Sequence, residues 1–161
     1  MKKYKLLLIL LNLAVLLWIF NRSVYEKEAV LSNGKLVFLQ LAPIDSFPDT
    51  QSEFINLKFP QLEMHSSDGL PLRGYCMVRT DGRGVVDSLR IQAEILPQND
   101  GESALEYVLK NGQVNIGANT FYFQKGRMNS LLNARYAGLK TGKDGNAVLF
   151  GLFDEHFARL E

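Results

Sequence analysis

The sequence has little of the chemistry on which many enzymes and secreted scaffolds depend. Cys76 is the only cysteine among 161 residues, so no internal disulfide can form, and its place in an apolar run predicts a buried structural thiol. The two histidines, His65 and His156, are far apart and both are predicted to be exposed. Motifs for a zinc site, a phosphate-binding loop or a serine nucleophile are missing. The sequence therefore predicts no metal and no cofactor, and it favours a protein that is not an enzyme.

An excess of charge of one sign is also missing. The chain has 18 Lys and Arg against 17 Asp and Glu, a formal net charge of +1. Apart from the lysines at the amino terminus, the basic residues are scattered along the sequence. A nucleic-acid surface needs a clustered basic footprint, so the composition argues against nucleic acid as a partner.

The most informative feature present is the apolar run over residues 6–20, which only Asn12 interrupts. As a helix this run spans roughly 22 Å, and interfacial residues on both sides extend it toward a bilayer core of about 30 Å. The sequence therefore predicts a transmembrane anchor over residues 1–22, in contact with lipid through residues 4–21.

A cleaved signal peptide is the alternative, because its apolar region also follows a basic start. The sequence Asn21-Arg22-Ser23 lacks the small residues of a cleavage site, which favours retention of the anchor. Three lysines precede the run, whereas Arg22 and Lys27 follow it. The positive-inside rule then places the amino terminus in the cytoplasm and the rest of the chain outside it.

Beyond the anchor, a mixed-charge segment over 23–33 is interpreted as a short stalk, and residues 34–161 suffice for one compact domain. Alternating apolar residues and turn signals predict about eight short strands, with one helix over 127–136. The strands are expected at 35–42, 53–59, 72–79, 85–96, in a hairpin over 102–116, at 120–124 and in a closing hairpin over 137–153. The predicted fold is mainly β: an antiparallel β-sandwich or partly closed barrel with one short helix.

Two carboxylates flank a turn-rich connection over 46–52. Glu53 has the same strand parity as Ile55, Leu57 and Phe59, so its side chain begins at the end of a core-facing stripe. Asp45 follows a predicted strand end, where aspartate commonly accepts hydrogen bonds from backbone amides. Three roles stay open for these two residues: a structural role, contact with a partner, and an acid–base pair.

The segments around these carboxylates resemble a bacterial family named after its GDYXXLXY motif. Pro43-Ile44-Asp45 is similar to the family's strand end, and Ser52 to Phe59 is similar to the motif itself. Thr120 to Gly126 and Gly145 to Leu152 are similar to later family segments, and the resemblance covers about residues 31–153. It implies one amino-terminal membrane segment followed by an exported β-rich domain, and no particular reaction. The family positions mark these candidate partner or ligand contacts: Pro43, Asp45, Glu53, Phe54, Leu57, Phe59 and Tyr122.

The chain departs from the motif at four positions. Ser52 replaces the glycine, Glu53 replaces the aspartate, and Phe54 and Phe59 replace the two tyrosines. Size, apolarity and one carboxylate are kept, while both phenolic hydroxyls are lost. A function that depends on those hydroxyls in relatives cannot be shared by this chain.

Together these observations predict a membrane-anchored, extracytoplasmic binding or accessory domain in the bacterial inner membrane. Its expected partner is another envelope or integral membrane protein. Two alternatives stay open: a carboxylate-dependent hydrolase that uses Asp45 and Glu53, and a carrier of a small apolar ligand inside the barrel.

Overall fold

A long amino-terminal helix precedes the folded domain. The computed structural model describes residues 2–44, 54–63, 69–124 and 128–160. Helix α1 (Lys2–Asn33) has 32 residues, is about 48 Å long and is long and apolar enough to cross a membrane. The segment predicted as a stalk, 23–33, belongs to this helix, so anchor and stalk form one continuous element.

Helix α1 ends against the domain. The Gly34 N–H donates to the Val30 carbonyl at 2.8 Å, and Val30 is buried against the segment that contains Gly142. A Cβ on Gly34 would lie 2.3 Å from the Val30 carbonyl oxygen, so this close approach requires glycine. Contacts of α1 with the hairpin over 136–153 complete the junction.

The domain contains ten described strands and two single-turn helices. The helices are α2 (Pro60–Glu63) and α3 (Met128–Leu131). The strands are β1 (Lys35–Gln40), β2 (Phe54–Asn56), β3 (Arg73–Thr80), β4 (Val86–Gln92), β5 (Glu102–Lys110), β6 (Gln113–Asn115), β7 (Thr120–Tyr122), β8 (Tyr136–Thr141), β9 (Ala147–Phe153) and β10 (Arg159–Leu160).

The strands form two four-stranded antiparallel sheets and one two-stranded ribbon. The sheet orders are β1-β8-β9-β10 and β4-β3-β5-β6, and the ribbon pairs β2 with β7. The edge strand β1 meets the residues just before edge strand β4, where the Phe38 N–H donates to the Gly84 carbonyl at 2.9 Å, next to a single parallel bridge between Phe38 and Val85. The two sheets therefore join along one side, which confirms the predicted antiparallel β fold with partial barrel closure.

One hydrophobic core lies between the two sheets. Leu39 of β1, Leu105 of β5 and Leu139 of β8 have no exposed surface and belong to the same cluster. Cys76 of β3 is also fully buried, and desolvation raises the pKa of its thiol to about 12. The thiol is therefore a structural part of the core, as its apolar surroundings in the sequence predicted.

Two predicted elements are shorter in the structure. Over the described residues 128–136, the predicted helix 127–136 is helical only at Met128–Leu131, because the backbone of Arg135 bonds to β9 and to Leu41. Of the described part of the predicted strand 53–59, Phe54–Asn56 is strand, and the Leu57 N–H continues the pairing with a donation to the Asn119 carbonyl at 2.7 Å before α2 begins at Pro60. Tertiary hydrogen bonds thus limit the helix, whereas the start of α2 limits the strand. Helix α2 and strand β10 are elements that the sequence patterns did not predict.

Candidate functional site

The β2–β7 ribbon presents an outward face with two large aromatic rings. Phe54 lies opposite Tyr122 and Asn56 lies opposite Thr120, and alternation along each strand places these four side chains on one side. Phe54 is 42% exposed and Tyr122 is 74% exposed, with ring centroids 6.1 Å apart. The Thr120 hydroxyl donates to Asn56 Oδ1 at 3.4 Å. We call Phe54, Asn56, Thr120 and Tyr122 the ribbon face.

The ribbon face continues into an open groove of about 540 Å³. Ribbon-face residues Asn56 and Thr120 line it on one side, and the β5–β6 turn with strand β6 lines it on the other. Apolar and polar side chains both contribute to its wall. The lining residues are Asn56, Leu57, Lys58, Phe59, Leu62, Glu63, Gly112, Gln113, Val114, Asn115, Asn119 and Thr120.

Asn119 contributes an unusual polar group to the groove. Its backbone carbonyl accepts the Leu57 N–H, which fixes the main chain of Asn119 beside β2. Its side-chain Oδ1 is buried, and no residue in the described part of the chain donates to it. A buried acceptor without a donor is unfavourable, so a donor that reaches this oxygen, from water or from a bound molecule, would stabilise it.

The groove and the helix junction lie at opposite ends of β1. At the start of β1, Lys35 pairs with Thr141 and its Nζ donates to the Gly101 carbonyl at 3.2 Å. Just past the end of β1, the Ala42 N–H donates to the Lys58 carbonyl at 3.0 Å, next to the groove. Six strand residues separate the two ends, a distance of about 20 Å. The ribbon face is therefore remote from α1.

The sequence-predicted contact residues separate into three groups: exposed residues, core residues, and two residues outside the described part of the chain. Pro43, Phe54 and Tyr122 are exposed. Leu57 and Phe59 are 4% and 2% exposed and belong to the core, and both also line the groove, so their role as partner or ligand contacts stays a prediction. The shared burial of Ile55, Leu57 and Phe59 confirms the core-facing stripe.

The two candidate carboxylates, Asp45 and Glu53, lie outside the described residues, as does His65. Their convergence, and with it the acid–base alternative, stays a prediction. His156 is exposed, as expected, and its backbone N–H donates to Asp154. Among residues 2–44, 54–63, 69–124 and 128–160, no group of three or more metal-ligating side chains is present.

Among the residues that the structure describes, the carboxylates with perturbed pKa values are located away from the groove. Glu102 accepts from Arg90 Nη2 at 2.7 Å, from Arg90 Nε at 3.0 Å and from the Asn99 N–H at 2.9 Å. The Arg90 hydrogen bonds, with help from Asn99, lower the pKa of Glu102 to about 2. Hydrogen bonds from the Val85 and Arg83 amides similarly lower the pKa of Asp81. Both carboxylates stabilise turns, which gives their shifts a structural cause.

Sequence reasoning did not identify Asn119, Thr120 or the groove. The alternation that turns Tyr122 outward also turns Thr120 outward, so strand parity could have indicated Thr120. Nothing local indicates that Asn119 lies beside Leu57, because residues far apart in the sequence form this contact.

Comparison with known proteins gives one match. A family model described as GDYXXLXY protein matches residues 16–152, which is most of the chain. The match confirms the resemblance and extends it into the second half of α1. No curated protein and no solved structure matches the chain.

Proposed function

We propose that this chain, which belongs to the GDYXXLXY protein family, is a membrane-anchored binding domain that contacts another envelope protein. In this proposal α1 crosses the inner membrane, the amino terminus stays in the cytoplasm and the β domain lies outside it. The long apolar helix and the lysines that precede its apolar run support this arrangement.

The observation that carries the binding role is the ribbon face. Tyr122 exposes most of its side chain and lies against the partly exposed ring of Phe54. Aromatic side chains contribute a large contact area at low entropic cost and are enriched at protein interfaces. Their position beside a groove gives this end of the domain both an apolar contact and polar groups for recognition.

The character of the groove favours a protein partner over a small apolar ligand. Its volume of about 540 Å³ would suffice for such a ligand, but it is open to solvent. Lys58, Glu63 and Asn115 place two opposite charges and an amide at its wall. These groups are suited to peptide and side-chain hydrogen bonds, whereas a carrier of apolar molecules needs an enclosed apolar cavity.

Site-specific photocrosslinking in native membranes tests the proposal. A photoreactive amino acid at Tyr122 is expected to give one adduct of defined mass with an envelope protein. Leu96 is a matched control, because it is also an exposed apolar residue, at 68% exposure, and lies outside the ribbon face and the groove. Equal adducts from both positions, or none from Tyr122, would contradict a specific contact at the ribbon face.

Topology needs a separate measurement. Alkaline phosphatase fused after Glu161 is expected to be active in cells, because that enzyme folds only outside the cytoplasm. The fusion is also expected to resist carbonate extraction from membranes. An inactive fusion, or release by carbonate, would overturn the anchored orientation.

A further inference from the structure

We infer that the groove binds an extended polypeptide segment, which adds as a strand beside β6. This inference rests on the proposed function and specifies its partner: the contacting protein must offer a segment without pairing of its own. Three independent features of the groove point to this chemistry: a strand edge and a buried acceptor that have no partner among the described residues, and an apolar floor with a polar rim.

The free edge belongs to β6, the last strand of its sheet. Lys110 and Gln113 close the two-residue Asn111–Gly112 turn, and Leu109 lies opposite Val114. The Leu109 N–H donates to the Leu72 carbonyl, on the side of β5 away from β6. Leu109 and Val114 therefore form a pair without hydrogen bonds between them, and in such an antiparallel pair both residues direct their N–H and C=O groups away from each other. The N–H and C=O of Val114 thus point to the outer edge of β6, where an added strand can bond to them. No strand in the described part of the chain pairs with this edge.

The acceptor is Asn119 Oδ1, which is buried and receives no hydrogen bond from the described residues. Val114 and Asn119 line the same groove. A strand beside Val114 has amide N–H groups pointing alternately toward and away from β6. In this inference the amides that point away from β6 donate to Asn119 Oδ1. One extended backbone can therefore bond to the edge of β6 at Val114 and to the Asn119 side chain.

The side chains that line the groove suit a polypeptide ligand. Leu57, Phe59 and Leu62 supply an apolar floor, and each is less than 5% exposed. Lys58 and Glu63 lie in the wall with opposite charges, which gives no preference for an anionic ligand. In strand addition the main chain supplies affinity, and alternate side chains enter apolar pockets. The expected ligand thus has apolar residues at every second position.

The test uses the full chain in lipid nanodiscs and a phage-displayed library of random 12-residue peptides. Selection is expected to enrich peptides with alternating apolar residues. A synthetic copy of an enriched peptide should then slow amide hydrogen exchange in the protein over residues 112–118, beside which the added strand would lie. No enrichment, or slower exchange elsewhere but not there, would overturn the inference. The same measurement is made without peptide at increasing protein concentration. Slower exchange over 112–118 under those conditions would assign the groove to a second copy of this chain and would also overturn the inference.

Three variants test whether the peptide binds in the groove. Asn119→Leu should weaken binding about three- to tenfold, the contribution of one hydrogen bond, and should leave the fold intact because it removes an unsatisfied group. Thr120→Arg should weaken it at least tenfold by placing a long side chain over the groove. Asp87→Arg, an exposed change on β4, is the control and should have no effect. Binding unchanged in both groove variants would refute the assignment.

Folding of each variant can be checked by the protection of the Cys76 thiol, which the native core buries completely. The inference and the proposed function can fail separately. If Tyr122 gives a specific crosslink but no peptide is enriched, the binding role stands and strand addition is wrong. If neither is found, both are wrong.

Discussion

The motif segment contains two phenylalanines with opposite environments, and this contrast gives a sharp test of the structure. Phe59 is 2% exposed and lies in the core, whereas Phe54 is 42% exposed on the ribbon face. Both replace tyrosines of the family motif. The matched variants Phe59→Ala and Phe54→Ala remove the same atoms, so any difference in stability reports the environment alone.

The expected magnitudes follow from burial. Removing a fully buried phenylalanine ring costs about 3–5 kcal/mol, from lost transfer free energy and the cavity left behind. Removing the half-buried ring of Phe54 should cost about 1 kcal/mol, since much of its surface already contacts water. For a domain of this size the midpoint of thermal unfolding changes by roughly 4 °C per kcal/mol. We therefore expect losses of roughly 10–20 °C for Phe59→Ala and roughly 4 °C for Phe54→Ala.

The chain has its own unfolding probe. Cys76 is the only cysteine and is fully buried, so maleimide labelling during a thermal ramp reports exposure of the core. The measurement can be made on the full protein in nanodiscs, where α1 contributes no thiol. Similar losses for the two variants, or a loss below about 4 °C for Phe59→Ala, would refute the assignment of this segment to core and surface.

Three further outcomes are expected. The pKa of Glu102 is lowered from 4.5 to about 2, so its stabilising contribution is complete above pH 4.5 and is lost as the pH falls toward 2. Glu102→Gln should therefore flatten acid denaturation over that range, and an unchanged pH profile would count against the ion pair. Gly34→Ala places a Cβ 2.3 Å from the Val30 carbonyl oxygen and should speed amide exchange over 28–34, whereas Gly82→Ala, with open space around it, should not. Native Cys76, with a pKa raised to about 12, should resist iodoacetamide at pH 8 without denaturant, and rapid alkylation would contradict its burial.

Local signals predicted much of the fold. The Asn111–Gly112 turn adopts φ values of +51° and +75°, the left-handed conformations that this dipeptide favours in two-residue hairpins. The alternation of Ile55, Leu57 and Phe59 predicted their common burial. In these cases the physical cause acts within a few residues, so the sequence carries it directly.

The groove could not be predicted in the same way. It exists because β2 pairs with β7, more than sixty residues further along the chain, and because β6 ends its sheet. Whether Phe54 is packed or exposed depends on that pairing. Alternation along a strand separates its two faces, but it does not show which face the rest of the domain covers. Likewise, the short extent of α3 reflects backbone hydrogen bonds of Arg135 to Phe153 of β9 and to Leu41, which override the helical spacing of this segment.

The continuous helix has a consequence for the direction in which the domain faces. Because α1 passes without a break into its contact at Val30, the domain turns together with the helix, and its heading is fixed relative to the faces of the membrane-spanning part of α1. One residue added between Arg22 and Val30 would lift the domain by about 1.5 Å but rotate it by about 100°. Seven added residues would restore nearly the original heading. The number of helical residues above the bilayer therefore sets which side of the domain lies above a given face of α1, and so the side from which a membrane protein that contacts that face would meet the groove.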